Sequence, residues 1–270
     1  MPEGHTLFRL AAELDETFAG RTLRVSSPQG RFADEAAILD GQTLESAESA
    51  GKHVFLHFGD GSIVHIHLGL IGGFTFGLAP APPPVGAVRL RLEGEKTYGD
   101  LRGAMACELT TPEEMAKIVG RLGADPLRKD SDPDTAFARI HRSTKSIGAL
   151  LMDQSVLSGV GNVYRAEVLF RARLSPFTPG RQVTKRRWNA MWDDLVALME
   201  YGVLTGRIDT VRPEHEPEAM GRPARVDDHG GEVYVYRRHG QPCHVCGTTV
   251  KTKVLEGRNL FWCPKCQRKR

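Results

Sequence analysis

DQSVLSGVGNVYRAEVLF (Asp153–Phe170) is the stretch on which the fold turns. Apolar residues at helical spacing precede it in Ile147–Met152 and run on through Tyr164–Phe170, so two helices meet at Ser158-Gly159-Val160-Gly161. The two glycines permit a tight turn. Asn162 falls where the second helix begins. Its side chain can cap that helix, and the free backbone N–H groups of a first turn can hold a phosphate. Lys145, Arg165, Arg171 and Arg173 surround it with positive charge. By itself the stretch reads first as an ordinary helix–turn–helix joint with a capping Asn, so its neighbours must decide.

On the C-terminal side, Cys243-x-x-Cys246 and Cys263-x-x-Cys266 are separated by 16 residues, a spacing that suits a four-cysteine zinc ribbon. Each pair supplies two thiolates from one tight turn, and two turns complete a tetrahedron at a Zn–S distance of about 2.3 Å. All four positions are filled by protein, so one structural zinc is expected; an iron–sulfur or redox centre is the alternative. Lys251, Lys253 and Arg258 lie between the pairs and suit phosphate binding. From Arg237 to Arg270 the net charge is +8, against −5 for the rest of the chain. A basic tail on a mildly acidic body suggests a polyanionic partner, or else a solvated tail.

On the N-terminal side, Leu7, Leu10, Ala11, Leu14 and Phe18 form one helical stripe within Glu3–Phe18. From Thr22 to about Leu109 the pattern turns to strands, including VFLHF (Val54–Phe58), SIVHIHL (Ser62–Leu68), FTF (Phe74–Phe76) and VRLRL (Val88–Leu92). Gly59-Asp60-Gly61 predicts a hairpin and Ala79–Gly86 a Pro-rich loop. A sandwich or barrel is expected. The polar, Pro-rich segment from Asp125 to Asp134 reads as a linker. Helices are expected in Ala136–Ile140 and Trp188–Met199, and a long loop over Arg207–Gly231. The predicted division is 1–125, linker 126–134, helical domain 135–235 and zinc finger 236–270.

Apolar residues make up 40% of the 270, enough for real cores. No apolar run approaches the roughly 20 residues of a membrane span, and MPEGHTLFRL lacks the basic and apolar regions of a secretory signal. A soluble intracellular protein without a membrane partner is expected.

Pro2 follows the initiator methionine, and a small second residue usually permits removal of Met1. A secondary amine would then head the chain. An α-amino group has a pKa of about 7.7–8 against about 10.4 for lysine, so part of it is unprotonated at neutral pH. Such an amine can attack a sugar C1′ and form an iminium ion, and Glu3 could shuttle protons. His57, His65 and His67 are weighed as a metal face, but no carboxylate or cysteine accompanies them in sequence. The simpler reading is strand histidines with ordinary hydrogen bonds.

Together these motifs resemble the formamidopyrimidine-DNA glycosylase and endonuclease VIII family, over nearly the whole chain. Pro2-Glu3-Gly4 resembles the start of the endonuclease VIII branch, with the proline as nucleophile and the glutamate as general acid. Gly51-Lys52-His53 resembles the family's strand-borne lysine, which contacts a phosphate. Asp153–Phe170 resembles its helix–two-turns–helix motif, with Asn162 on backbone phosphate. Arg258, five residues before Cys263, resembles the finger's phosphate-binding arginine. Leu70 and Arg102 match side chains that fill the gap left by a flipped base, and Lys145 joins them as a DNA contact.

The resemblance implies an α+β chain, with an N-terminal β-sandwich flanked by helices and a C-terminal helical domain carrying the finger. Damaged double-stranded DNA lies between the two. It implies a monomeric bacterial cytoplasmic enzyme associated with the nucleoid. Its reaction would be removal of oxidised bases, pyrimidines favoured, followed by β,δ-elimination. Two positions depart from the pattern. Thr6 stands where the family has a second acid, and Ala104, where an aromatic wedge falls in one branch, cannot fill that space. A non-enzymatic binder of abasic or distorted DNA is the competing reading.

Overall fold

The first helix forms because its apolar stripe has a sheet to cover. In the computed structural model, which describes residues 2–226 and 231–268, helix α1 (Gly4–Phe18) buries Leu7, Leu10, Ala11, Leu14 and Phe18 on one face. The chain separates into two compact units, Met1–Arg121 and Leu122–Arg270.

In the first unit, α1 is followed by β1 (Arg21–Thr22), β2 (Arg24–Ser26), α2 (Ala33–Leu39), β3 (Thr43–Ala50), β4 (His53–Phe58), β5 (Ile63–His67), β6 (Gly73–Leu78), β7 (Val88–Glu93), β8 (Thr97–Arg102), β9 (Ala106–Thr110) and α3 (Pro112–Gly120). The strands form a five-stranded sheet, β1-β3-β4-β5-β9, and a four-stranded sheet, β2-β7-β8-β6. Alternation sends Val54, Leu56, Val64, Ile66 and Cys107 of one sheet into a core shared with Leu90, Leu92 and Leu101 of the other and with the α1 stripe. This is the expected sandwich with flanking helices. His53, Phe55, His57, His65, His67 and Glu108 therefore take the opposite face of the larger sheet. Burial pushes the Cys107 thiol up to about 12, so it sits in the core as an inert apolar group.

In the second unit, α4 (Pro133–His141) starts on Asp132, whose side chain accepts from Asp134 N. It is followed by α5 (Ile147–Leu150), α6 (Asn162–Arg171), α7 (Lys185–Thr205), α8 (Pro217–Met220), β10 (Lys251–Leu255) and β11 (Arg258–Trp262). Ile140, Leu151, Val163, Tyr164, Val168, Trp188, Leu195 and Met199 form a core that also takes in Val250, Phe261 and Cys263, so the finger is packed into the helical core. Glu167, wholly buried on α6, ties the segment before the finger to this core. Its carboxylate accepts from Thr210 Oγ1 and Tyr234 N, both at 2.7 Å, and from Val235 N and Tyr236 N, both at 2.9 Å. Most of the expected loop over 207–231 is irregular apart from α8 and a turn of 3-10 helix at Pro213–His215. Asp227–Gly230 and the end of the basic tail, Lys269 and Arg270, lie outside the described residues.

Candidate functional site

The four cysteines converge. Their sulfur atoms lie within 4.8 Å of one another, with Cys243 Sγ 3.9 Å from Cys266 Sγ and Cys246 Sγ 3.5 Å from Cys263 Sγ. A tetrahedron with 2.3 Å bonds has edges of about 3.8 Å, so the set fits one ion and leaves no position open. Cys263 N donates to Gln267 Oε1 at 2.9 Å, and Gln267 Nε2 donates to Leu174 O at 3.1 Å, which fixes the second knuckle on the helical core. Such outer contacts orient metal ligands. The fold and the thiolates define a structural metal site.

The helix joint and the finger meet. Helix α6 begins at Asn162, with Gly161 in the capping position and no side-chain cap. The expected cap is therefore absent, because the Asn162 side chain is used across the unit instead. Its Nδ2 donates to Asn259 O at 3.0 Å, and its Oδ1 accepts from Arg165 Nη2. Arg165, fully buried one turn along α6, also donates to Asn259 O at 3.3 Å and to Gly148 O at 3.3 Å. Asn259 follows Arg258, the exposed first residue of β11. The two-residue turn before it, Glu256-Gly257, has φ of 48° and 68°, which suits the twist of a hairpin. Asn162 and Arg258 are thus held on adjoining elements by Arg165. Lys145 is exposed just before α5, and its carbonyl accepts from Gly180 N at 2.8 Å.

The sequence motifs give Arg165 no role of its own, although its place three residues after Asn162 puts it on the same helical face.

In the first unit, Pro2 is half-buried and Glu3 wholly buried at the start of α1. Glu3 O accepts from Thr6 N at 2.8 Å. A carboxylate at a helix N-terminus is favoured by the helix dipole. Lys52 sits in the turn between β3 and β4 rather than on a strand, after Gly51 at φ 59°.

His53, next along, donates from Nδ1 to His65 Nε2 at 2.8 Å, and His65 Nδ1 donates to Glu108 Oε1 at 3.0 Å. The carboxylate accepts only, so with both rings neutral each donor role follows in turn. Burial, then the neighbouring His65, His67 and Lys52, lower the His53 pKa to about 4, and burial also lowers that of His67. His57 pairs with Glu48 at 2.9 Å. Carboxylates do accompany these histidines, contrary to the sequence reading. They come from neighbouring strands through the sheet register, His65 opposite Glu108 and His57 beside Ser46.

Leu70 lies on the exposed turn between β5 and β6, 52% accessible. Arg102, at the end of β8, is drawn back. Its guanidinium donates to Asp100 Oδ2 at 2.8 Å, Thr75 Oγ1 at 2.9 Å and Val85 O at 3.2 Å. Asp100, almost wholly buried, also receives two bonds from Arg91.

Comparison with known proteins places these features in one family. Residues 1–107 match the formamidopyrimidine-DNA glycosylase N-terminal domain, 122–212 the formamidopyrimidine-DNA glycosylase H2TH domain, and 240–268 the zinc finger found in FPG and IleRS. Endonuclease 8 1 of Mycobacterium tuberculosis (strain ATCC 25618 / H37Rv) is 51% identical over 99% of this chain and 100% of its own length. Formamidopyrimidine-DNA glycosylase of Thermus thermophilus is 31% identical over 99% and 98%. The fold matches a Lactococcus lactis Fpg variant in complex with a Fapy-dG containing DNA at a TM-score of 0.80 and 21% identity, covering 99% of this chain and 100% of that one. The chain belongs to the formamidopyrimidine-DNA glycosylase family, whose members are DNA glycosylases and abasic-site lyases. Among the described residues, no helix is long and apolar enough to cross a membrane.

Proposed function

We propose that this chain excises oxidised bases, pyrimidines favoured, from duplex DNA and then cuts the strand, with Pro2 as nucleophile after removal of Met1. The observation that carries the reading is the pairing at the head of α1 of a half-buried Pro2 with a wholly buried Glu3. It is supported by the Endonuclease 8 1 relative, similar from end to end.

The Pro2 nitrogen adds to C1′ and the base departs, with Glu3 moving protons at the sugar. The iminium so formed has no N–H to lose and stays cationic. It therefore acidifies the C2′ proton. Loss of that proton expels the 3′ phosphate, and a second elimination expels the 5′ phosphate. Extrusion of the nucleotide costs a few kcal/mol, which Leu70 offsets by entering the gap, with Arg102 held at its edge by Asp100. Lys52, Lys145, Asn162 and Arg258 hold backbone phosphates. Asn162 is suited to this because Arg165 occupies its oxygen and Asn259 O takes one amide hydrogen, so the second amide hydrogen is the donor a phosphate requires.

Cys243, Cys246, Cys263 and Cys266 would hold one zinc, which cross-links the finger when bound. The N-terminal unit serves as the catalytic domain, the helices as the DNA-binding domain, and the monomer as the working form in the bacterial cytoplasm.

The test is borohydride reduction during turnover of a duplex carrying an oxidised pyrimidine. A covalent protein–DNA adduct mapped to Pro2 is expected. A tag fused ahead of Pro2 should abolish trapping while salt-dependent DNA binding persists. Full incision by the tagged protein would send the nucleophile to a lysine. Binding without any incision would favour the non-enzymatic reading.

A further inference from the structure

The two turns at one end of the sandwich interlock. Gly69, at φ +71°, lies close against Met105: a Cβ there would be strained and would stand 3.0 Å from Met105 Cβ and 3.3 Å from Met105 Cε. Met105 N donates to His67 O at 2.9 Å, and Gly72 N to Leu68 O at 3.1 Å. Gly103, at φ +62°, lies against the Ile71 carbonyl, 3.4 Å from where its Cβ would be. The β5–β6 turn and the β8–β9 turn thus form a single ledge. Three apolar side chains stand on it in the open: Leu70 is 52% exposed, Ile71 87% and Met105 69%. Arg102, which the family resemblance assigns to the gap, is engaged by Asp100, Thr75 and Val85, and Ala104 is too small to reach out.

Most of a duplex's outer surface is phosphate, sugar and polar base edge. The faces of its bases are apolar, and they become accessible where one nucleotide leaves the stack. We propose that Met105 is the second insertion residue, entering the gap beside Leu70 and Ile71 to pack against the base opposite the lesion. This rests on the reading of the chain as a DNA glycosylase.

The chemistry of methionine then sets the specificity. Its side chain is unbranched, with a polarisable thioether that packs well on aromatic faces. It offers no donor and only a weak acceptor, so it cannot read a Watson–Crick edge. The enzyme therefore tolerates any of the four bases opposite the lesion, with rates differing by less than about fivefold, below the discrimination a good bidentate contact gives.

The experiment uses a duplex with a tetrahydrofuran abasic analogue opposite 2-aminopurine, whose fluorescence rises when it is unstacked. Wild-type protein should raise the signal on binding. Met105→Ala should reduce that rise at least threefold with an unchanged thermal unfolding midpoint, and Met105→Leu should restore most of it. An undiminished rise with Met105→Ala, or a rise lost only with Arg102→Ala, would overturn the proposal, as would no rise with the wild type. Incision of a natural abasic duplex, run alongside, tests the enzyme reading separately. A Met105-dependent signal without incision supports insertion and removes only the lyase chemistry. Incision with a signal indifferent to Met105 removes only the insertion.

Discussion

Two regions of this chain gather the side chains that bind metals, and they end in opposite ways. Cys243, Cys246, Cys263 and Cys266 point their sulfurs at one point, within 4.8 Å of one another. His53, His65 and His67 crowd on a sheet face, with the His53 ring centre 5.1 Å from that of His65 and 5.0 Å from that of His67, and His53 and His65 turn their nitrogens on each other and on Glu108. The difference lies in the backbone. Two tight turns can aim four short side chains inward. A pleated strand sets its side chains in parallel, so neighbouring imidazoles stack and hydrogen-bond. Filling a space with ligand-type residues does not make a metal site; convergence does.

The sharpest way to break this contrast is to remove one member of the convergent set. Cys263→Ser should release the metal and unfold the finger, because binding a structural zinc contributes on the order of 10 kcal/mol to finger folding. The damage should spread through the second unit, since Val250, Phe261 and Cys263 share its helical core. The first unit has its own core and should stay folded. Limited proteolysis should then leave a resistant N-terminal fragment while DNA affinity falls at least a hundredfold. A variant that binds DNA like the wild type would show that the finger needs no ion.

Metal counting tests the other half. One equivalent per chain is expected, and cobalt substitution should give a thiolate-type spectrum unchanged by His65→Ala. To take a metal, the histidine face would have to give up the bond from His53 to His65 and that from His65 to Glu108. A second tight equivalent lost with His65→Ala would break the contrast.

How far the sequence can be read follows the same division between local and distant information. The cysteine spacing, the α1 stripe and the strand alternation are local patterns, and each yields the element it predicts. Helix α3 has a local signal too: Thr111-Pro112-Glu113-Glu114 is a capping box, with Glu114 N donating to Thr111 Oγ1 at 3.2 Å. Its apolar residues Met115, Ile118 and Val119 also recur at helical spacing, although α3 buries none of its residues.

What the sequence hides is pairing at long range. Glu108 reaches His65 across a strand register, and Asn162 reaches Asn259 across 97 positions. The exposure of Met105 depends on a turn geometry that no periodicity encodes. The expected cap by Asn162 fails for this reason: a distant carbonyl and a buried arginine compete for the amide that would have turned back on its own helix.

The smallest effect belongs to His53, and it reports on the histidine face directly. Its pKa is lowered from 6.5 to about 4, first by burial and then by His65, His67 and Lys52. Above pH 6.5 the ring is neutral whether the chain is folded or not, so it adds no pH dependence. Below 6.5 the unfolded chain takes up a proton that the folded protein refuses until about pH 4. Stability should therefore fall as the pH drops through that window, by at most ~1.4 kcal/mol per pH unit from this one group, and level off below it. His67, lowered in the same direction, adds to the slope. His53→Gln removes one titrating ring while an amide N–H can still donate to His65. The variant should lose stability less steeply than the wild type between pH 6.5 and 4, and match its slope above about pH 7. Because carboxylates contribute equally to both proteins, the difference between the two denaturant-melting series isolates the histidine. Parallel curves would mean that His53 keeps an ordinary pKa, and that the histidine face is open to water and ligands after all.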